Sequence, residues 1–117
     1  MLRIVFYTTE GDDSPIDDFL DKLDVKSRAK VEAYLSLLAE HGPNLKRPYA
    51  DHVRGKIREL RIHYSSNQYR ILYFFYQKDS IVLVHAFAKK TMQLKTGDIE
   101  LAERRMHDWI KRNPIEE

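Results

Sequence analysis

Three runs rich in β-branched and aromatic residues follow one another between residues 56 and 88, and they constrain the fold more than any other part of the chain. They cover residues 56–63, 69–76 and 81–88, each the length of one strand. The short turn segments SSNQ and QKDS join them. Short connections link antiparallel neighbours, because parallel strands need a crossover of about a dozen residues or more. The sequence therefore predicts an antiparallel meander of three strands.

Local start and stop signals place the elements before this meander. Residues 2–7 are β-branched and aromatic, which predicts a first strand. Ser14 is a favoured N-cap residue and Pro15 a favoured first helical residue, so a helix is predicted to begin there. Asp24 is predicted to cap a second helix, which Gly42-Pro43 ends. Two helices with so short a link predict an antiparallel helical hairpin.

The rest of the chain adds a loop and a last helix. Residues 43–55 contain two prolines and no apolar periodicity, which predicts a loop. Residues 97–111 place Ala102, Met106 and Trp109 on one side, which predicts an amphipathic helix. The predicted order is β-α-α-β-β-β-α, an α+β fold in which a small twisted antiparallel sheet packs with the N-terminal helical hairpin. A chain of 117 residues has room for one such domain, spanning residues 1–117.

Composition restricts the class of protein. With 43% apolar and 32% charged residues, the chain has the composition of an ordinary soluble globular protein. No apolar run approaches the roughly 18 residues of a membrane span, and no signal-peptide pattern stands at the N-terminus. The chain has no cysteine, and its five histidines show no HExxH or similar spacing. We therefore expect a cytoplasmic protein without a disulfide, a bound metal or another cofactor.

Charge is segregated along the chain. Residues 10–24 contain seven acidic residues and one lysine, a net charge of −6. Residues 54–95 contain nine basic residues against Glu59 and Asp79, a net charge of +7. Such segregation is typical of a protein with one face that binds a polyanion, although a charge run is often only a solvated surface.

Side chains alternate across a strand, and this alternation sorts the cations into faces. Symmetric turns would pair Tyr64 with Tyr69, so that His63 faces Arg70, and would pair Tyr76 with Ile81. A one-residue slip in either register would invert the assignment. The predicted cationic face contains Glu59, Arg61, His63, Arg70, Leu72, His85, Phe87 and Lys89. The other face, predicted to pack on the N-terminal helices, contains Leu60, Ile62, Ile71, Tyr73, Phe75, Val82, Val84 and Ala86.

Four basic groups, Arg61, His63, Arg70 and Lys89, are thus predicted to converge at one end of one sheet face. Only one acid, Glu59, is close to them in this arrangement. Like charges gather where an anion neutralises them, so the pattern predicts an anion-binding site. The alternative is that Arg61 pairs with Glu59 and Arg70 binds a neighbouring carbonyl group, with no ligand involved.

The segments RELRI, YRILYFF and VLVHAFAKK, followed by a helix rich in Glu, Ala and Arg, resemble the HigB-type, phage Gp49-like branch of the RelE/ParE toxins. The resemblance covers nearly the whole chain and depends on the order and spacing of these segments. It implies a RelE-like fold, a small sheet backed by a helical hairpin. It also implies a toxin of a type II toxin–antitoxin system that enters the ribosomal A site and cuts mRNA without a metal. The implied partners are the ribosome, mRNA and a helix-turn-helix, HigA-like antitoxin.

The resemblance also assigns residues by position. The tyrosine–arginine pair of the family's central strand matches Tyr69 and Arg70, and the basic residue of the preceding strand matches Arg61. The basic pair that ends the last strand matches Lys89 and Lys90. RelE itself has a tyrosine shortly after this pair, where the present chain reads TMQLKTGD without one. The identity of the general base is therefore open.

Several residue types suit the chemistry of such a cut. Arginine presents a fixed fork of donors that matches phosphate oxygens. His63 or His85 could transfer a proton because the pKa of histidine lies near neutrality, and a lysine crowded by arginines could act as a base through a lowered pKa. We predict Arg61, His63, Arg70 and Lys89 as catalytic residues, and Lys56, Arg58, Lys90 and Lys95 as RNA-binding residues.

Two other functions are compatible with the sequence. A ParE-like inhibitor of DNA gyrase shares the fold but does not use a basic catalytic cluster on the sheet. A non-catalytic RNA-binding module would keep the positive charge without the chemistry. The presence of Arg61, Arg70 and Lys89 together favours RNA cleavage over both.

Overall fold

The computed structural model describes residues 1–89 and 94–115, which form five strands and three α-helices. The strands are β1 (Arg3–Phe6), β2 (Ala50–Arg54), β3 (Ile57–Tyr64), β4 (Asn67–Tyr76) and β5 (Ser80–Ala88). The helices are α1 (Pro15–Asp21), α2 (Val25–His41) and α3 (Thr96–Arg112), and a 3-10 turn, Gly42–Asn44, follows α2. The predicted α+β class is confirmed. Among the described residues, no helix is long and apolar enough to cross a bilayer.

The five strands form one mixed sheet in the order β1-β5-β4-β3-β2. The meander β3-β4-β5 is antiparallel, as predicted. The expectation of a wholly antiparallel sheet is wrong, because β1 pairs with β5 in parallel. The helices α1 and α2 lie between β1 and the rest of the sheet in the sequence, and a long helical connection of this kind permits parallel pairing.

Strand β2 lies in the segment 43–55 that was predicted to be a loop, so this prediction is wrong for residues 50–54. The strand pairs antiparallel with β3, with Asp51 opposite Glu59. Its backbone groups are satisfied by the edge of β3, a non-local partner that the local pattern does not reveal. Both prolines of the segment precede the strand.

The helix termini follow from local chemistry. The Asp24 carboxylate accepts a 2.8 Å hydrogen bond from the Ser27 amide, which confirms the predicted cap of α2. Ser14 takes the N-cap position of α1, but its hydroxyl donates to Asp17 at 2.7 Å and makes no capping bond. Helix α2 ends at His41, and its C-cap is Gly42, whose φ of 54° suits glycine. A Cβ at Gly42 would lie 2.6 Å from a methyl carbon of Leu2, so a larger residue would also clash there.

The β3–β4 turn is shorter than expected. Tyr64 pairs with Asn67, and Arg61 rather than His63 lies opposite Arg70. The predicted register is therefore wrong by two residues. A shift of two residues keeps each side chain on its face, because the side-chain period of a strand is two. Arg61, His63 and Arg70 therefore lie on one face of the sheet, as predicted, despite the error in register.

A β-bulge interrupts the pairing of β4 with β5. Arg70 pairs with Phe87, as predicted, and the register then shifts between Leu72 and Tyr73, so that Tyr73 pairs with Leu83. A bulge places two residues of one strand opposite one residue of the other. It therefore reverses which alternate residues of β5 face each side of the sheet.

The consequence of the bulge is visible in the packing of β5. Val84 is the extra residue, and Val82 and Val84 pack with α3 rather than with the N-terminal helices. Ile81 and Leu83 face the N-terminal helices instead. The predicted faces of Val82 and Val84 are thus wrong, because the bulge is a property of strand pairing and not of the local pattern.

The sheet carries an apolar core on each face. Helices α1 and α2 cover one face and α3 covers part of the other, so the predicted cationic face also contains a core. The first core includes Ile16, Leu20, Val31, Leu35, Leu38, Leu60, Ile62, Ile71, Tyr73, Ile81 and Leu83. The second includes Tyr7, Ile57, Leu72, Phe74, Val82, Val84, Ala102 and Met106.

Candidate functional site

Arg61, Arg70 and Lys89 lie together around Glu59, where β4 begins and β5 has just ended; these four residues are called the cationic cluster. Arg61 and Arg70 are directly paired across β3 and β4. The Lys89 amide donates a 2.8 Å hydrogen bond to the Gln68 carbonyl, which holds the residue after β5 against the start of β4. Strand pairing thus brings together residues that lie up to 30 positions apart in the sequence.

The Glu59 carboxylate contacts two guanidinium groups in this cluster. Arg61 Nε lies 3.4 Å from Glu59 Oε1, and Arg70 Nε lies 3.6 Å from Glu59 Oε2. Arg70 also donates from Nη1 to the Tyr69 carbonyl at 3.2 Å. These are the contacts expected if no ligand were involved. They are loose, however, since both Nε atoms and Glu59 Oε2 are buried without a hydrogen-bond partner among the described residues.

The pKa of Lys89 is lowered in the cluster. Burial of the ammonium group is the main cause, and the neighbouring Arg70 and Arg61 add to it, while Glu59 partly opposes the shift. Burial likewise lowers the pKa of Arg70. A larger fraction of Lys89 is therefore neutral near physiological pH than for an ordinary lysine, and neutral lysine is a proton acceptor.

The members of the cluster differ in access to solvent. Arg70 is 2% exposed and Glu59 7%, whereas the side chain of Arg61 is 30% exposed and Lys89 is half-buried. In this conformation Arg61 and Lys89 can reach an external ligand. Arg70, predicted as a catalytic residue, is almost fully buried and lies against Glu59.

The other predicted residues are spread over the molecule. His63 is exposed on the face of Arg61 and pairs with Gln68 near the β3–β4 turn. Lys56 is exposed in the β2–β3 turn, and Lys95 is exposed at the N-cap of α3. Arg58 pairs with Tyr73, which belongs to the core on the opposite face. The structure thus places Arg58 apart from the cationic cluster, and Lys90 lies outside the described residues.

His85, the other histidine considered for proton transfer, joins β5 to α3. Its Nε2 lies 2.8 Å from Asp98 Oδ1, and its ring lies 5.0 Å from the ring of Phe87. Burial lowers the pKa of His85 more than Asp98 raises it. These contacts fit a structural residue, because the ring nitrogen is already bound to the helix.

Glu59 is a member of the site that the sequence pattern marked only as a counter-ion. Its position on the cationic face follows from alternation along β3, but its central position depends on the pairing of Arg61 with Arg70. Within residues 1–89 and 94–115, no three His, Asp or Glu side chains gather as potential metal ligands. An excess of cations around one carboxylate suits an anion such as phosphate.

The model of the family described as Phage derived protein Gp49-like (DUF891) matches residues 18–107, about three quarters of the chain. The match includes the meander, the whole cationic cluster and most of α3. A search of curated proteins finds no match. The Gp49-like family is associated with the toxins of toxin–antitoxin systems. The chain belongs to this family of phage-derived Gp49-like proteins.

Proposed function

We propose that the chain is the toxin of a toxin–antitoxin pair and that it cuts RNA at the cationic cluster. Membership of the Gp49-like family supports the assignment of the chain as a toxin. The observation that supports RNA cleavage is the gathering of Arg61, Arg70 and Lys89 around one buried carboxylate, with the pKa of Lys89 lowered. The resemblance to RelE and HigB toxins points to mRNA in the ribosomal A site as the substrate, in the cytoplasm, and to a HigA-like antitoxin as the partner.

The proposed reaction is attack by a ribose 2′-hydroxyl on the adjacent phosphate. Neutral Lys89 takes the proton of the 2′-hydroxyl while its oxygen bonds to phosphorus. The 5′ oxygen leaves and takes up a proton, and His63, on the same face, is the candidate donor. Arg61 donates to the non-bridging oxygens, whose negative charge grows in the transition state. Arg70 positions Glu59, which in turn holds Arg61. The products are a 2′,3′-cyclic phosphate and a 5′-hydroxyl.

We expect the wild-type protein to cut ribosome-bound mRNA within the A-site codon and to leave a 2′,3′-cyclic phosphate, with little effect of EDTA. Lys89→Met should lower the cleavage rate by at least about 100-fold, since general-base catalysis contributes about 10²–10⁴-fold. Induced expression should arrest growth for the wild type and not for this variant. Lys78→Met is the matched control, because it removes the same charge from an exposed residue beyond the far end of β4.

Two results would contradict the proposal. A folded Lys89→Met protein, with an unchanged circular dichroism spectrum, could still arrest growth; Lys89 would then have no part in the reaction. Alternatively, the protein could leave translating mRNA intact and trap gyrase on cleaved DNA, in which case gyrase inhibition replaces RNA cleavage. Substitution of Arg70 is a weaker test, because a side chain buried to this extent also affects folding.

A further inference from the structure

A second basic site lies on the opposite face of the sheet, beside the edge strand β2. A cavity of about 410 Å³ is open to solvent there; we call it the β2-edge cavity. Three of its lining residues carry a positive charge and one carries a negative charge. The lining residues are Lys46, Arg47, Ala50, Asp51, His52 and Arg58.

The single acid of the cavity is already engaged. Asp51 accepts a 2.8 Å hydrogen bond from Arg47 Nε and a 2.9 Å bond from the His52 amide. The bond from Arg47 is the main reason that the pKa of Asp51 is lowered. Among the described residues, no carboxylate lies within ion-pair distance of Lys46 or Arg58. These two cations therefore give the cavity a net positive charge.

Arg58 is only partly satisfied by the protein. It stands between His52 of β2 and Tyr73 of β4 in the paired strands. Its Nε and the hydroxyl of the fully buried Tyr73 both lack a well-formed hydrogen bond to the described part of the chain. The guanidinium is nevertheless close enough to oppose the rise that burial causes in the pKa of Tyr73. A cation held this way, with its charge unpaired, is suited to an anionic ligand.

The cavity is joined to the cationic cluster through the β2 edge. The amide of Arg61 donates a 2.7 Å hydrogen bond to the Tyr49 carbonyl, so the segment that carries Lys46 and Arg47 is fastened to the strand of the cluster. Arg58 and Arg61 are three positions apart on that strand and face opposite sides. A flexible chain of phosphates that passes over this edge would meet both sites.

We propose that the β2-edge cavity binds a phosphate group of the same RNA strand that is cut at the cationic cluster. The inference rests on the proposed RNA substrate. Lysine supplies a point charge to phosphate, and arginine supplies a fork of donors. The cavity then holds a flanking part of the strand and adds affinity without touching the reacting atoms.

Lys46→Met tests the proposal directly. Binding of a fluorescent single-stranded RNA, 2′-O-methylated to prevent cleavage, is measured by anisotropy over a range of salt concentrations. We expect severalfold weaker binding at low salt and a slope of log K against log salt reduced by about 0.7, the effect of one lost phosphate contact with a single strand. Lys78→Met, with the same charge change outside both sites, should keep the wild-type affinity and slope.

Inorganic phosphate provides a second probe. In the wild type, amide NMR shifts on titration should centre on residues 46–58, and they should weaken in Arg58→Met. Unchanged RNA affinity and slope in Lys46→Met overturn the proposal. Phosphate shifts in the cavity together with unchanged RNA binding also overturn it, since the site then serves a small oxyanion. If the protein cuts no RNA but Lys46→Met still weakens RNA binding, the proposed reaction fails and the cavity assignment stands.

Discussion

At the residue scale, Lys89 carries a cost in stability that its proposed role explains. Its pKa in the folded protein lies below its ordinary value of 10.5, mainly through burial and through the two arginines. Between the folded and unfolded pKa values, the unfolded chain binds more protons, so the contribution of Lys89 to stability rises with pH across that interval. Below it, charged Lys89 destabilises the fold.

We therefore expect Lys89→Met to raise the melting temperature at pH 7 while it lowers the cleavage rate. The gain over the wild type should shrink as the pH rises towards 10.5, where the unfolded chain also loses the proton. The cleavage rate of the wild type should increase with pH until Lys89 is neutral. Melting curves and single-turnover rates between pH 6 and 10 measure both effects, with Lys78→Met as the control. A Lys89→Met protein less stable than the wild type at pH 7 would argue against this account.

At the element scale, side-chain hydrogen bonds fasten α3 to the sheet. Tyr7 donates its hydroxyl proton to Asp108 at 2.6 Å, and Arg105 donates to the Val84 carbonyl at 2.8 Å. The bulge leaves Val84 without a partner residue in β4, and the carbonyl of Val84 instead accepts the hydrogen bond from Arg105. His85 and Asp98 make a further contact, near the start of α3. The bulge and the helix thus depend on each other.

The burial of His85 against α3 should make the packing of this helix sensitive to acid. The pKa of His85 is below its ordinary 6.5, mainly because the ring is buried. Its contribution to stability is thus fully present above pH 6.5 and is lost as the pH falls through the folded pKa. His85→Gln, which keeps a donor for Asp98 but does not titrate, should lose stability less steeply below pH 6.5, by at most about 1.4 kcal/mol per pH unit.

Melting curves between pH 5 and 7.5, together with hydrogen exchange of α3 amides, measure this difference. His107→Gln is the matched control, because His107 is an exposed histidine of the same helix. Identical pH profiles for the wild type and His85→Gln would show that the titration of His85 has no part in holding α3.

At the scale of the whole molecule, negative charge is concentrated around α1 and positive charge in the segment that contains the meander. The acidic residues of the segment 10–24 are all exposed, and they lie on and around α1. Residues 54–95, which include β3, β4 and β5, carry the net charge of +7. A toxin of this family implies an antitoxin partner, and segregated charge of this kind steers the approach of a charged partner.

We expect the association rate with the antitoxin to fall as salt rises, while the dissociation rate changes much less. Steering acts on the encounter, whereas the lifetime of the complex depends on buried apolar contacts. Stopped-flow measurements at low and high ionic strength test this. The double variant Asp12→Asn, Asp18→Asn removes two exposed charges from the acidic region and should change the salt dependence if that region steers. An association rate that is flat across the salt range would exclude steering.

Features that depend on neighbouring residues were predictable from the sequence. Asp24 and Gly42 cap the two ends of α2, as predicted, because capping acts within one turn. The three strands of the meander and the shared face of Arg61 and Arg70 were also predictable, since alternation is a local property that a two-residue shift preserves. Much of the cationic cluster could therefore be identified before the fold was known.

Features that depend on distant partners are visible only in the folded protein. Strand β2 exists because the edge of β3 satisfies its backbone, and β1 is parallel because two helices precede the rest of the sheet. The bulge at Val84 sends β5 side chains to unexpected faces. The burial of Arg70 and the separate cavity at Arg58 depend on which helices and segments pack against each face of the sheet. Pairing and packing join residues far apart in sequence, and no local pattern records those partners.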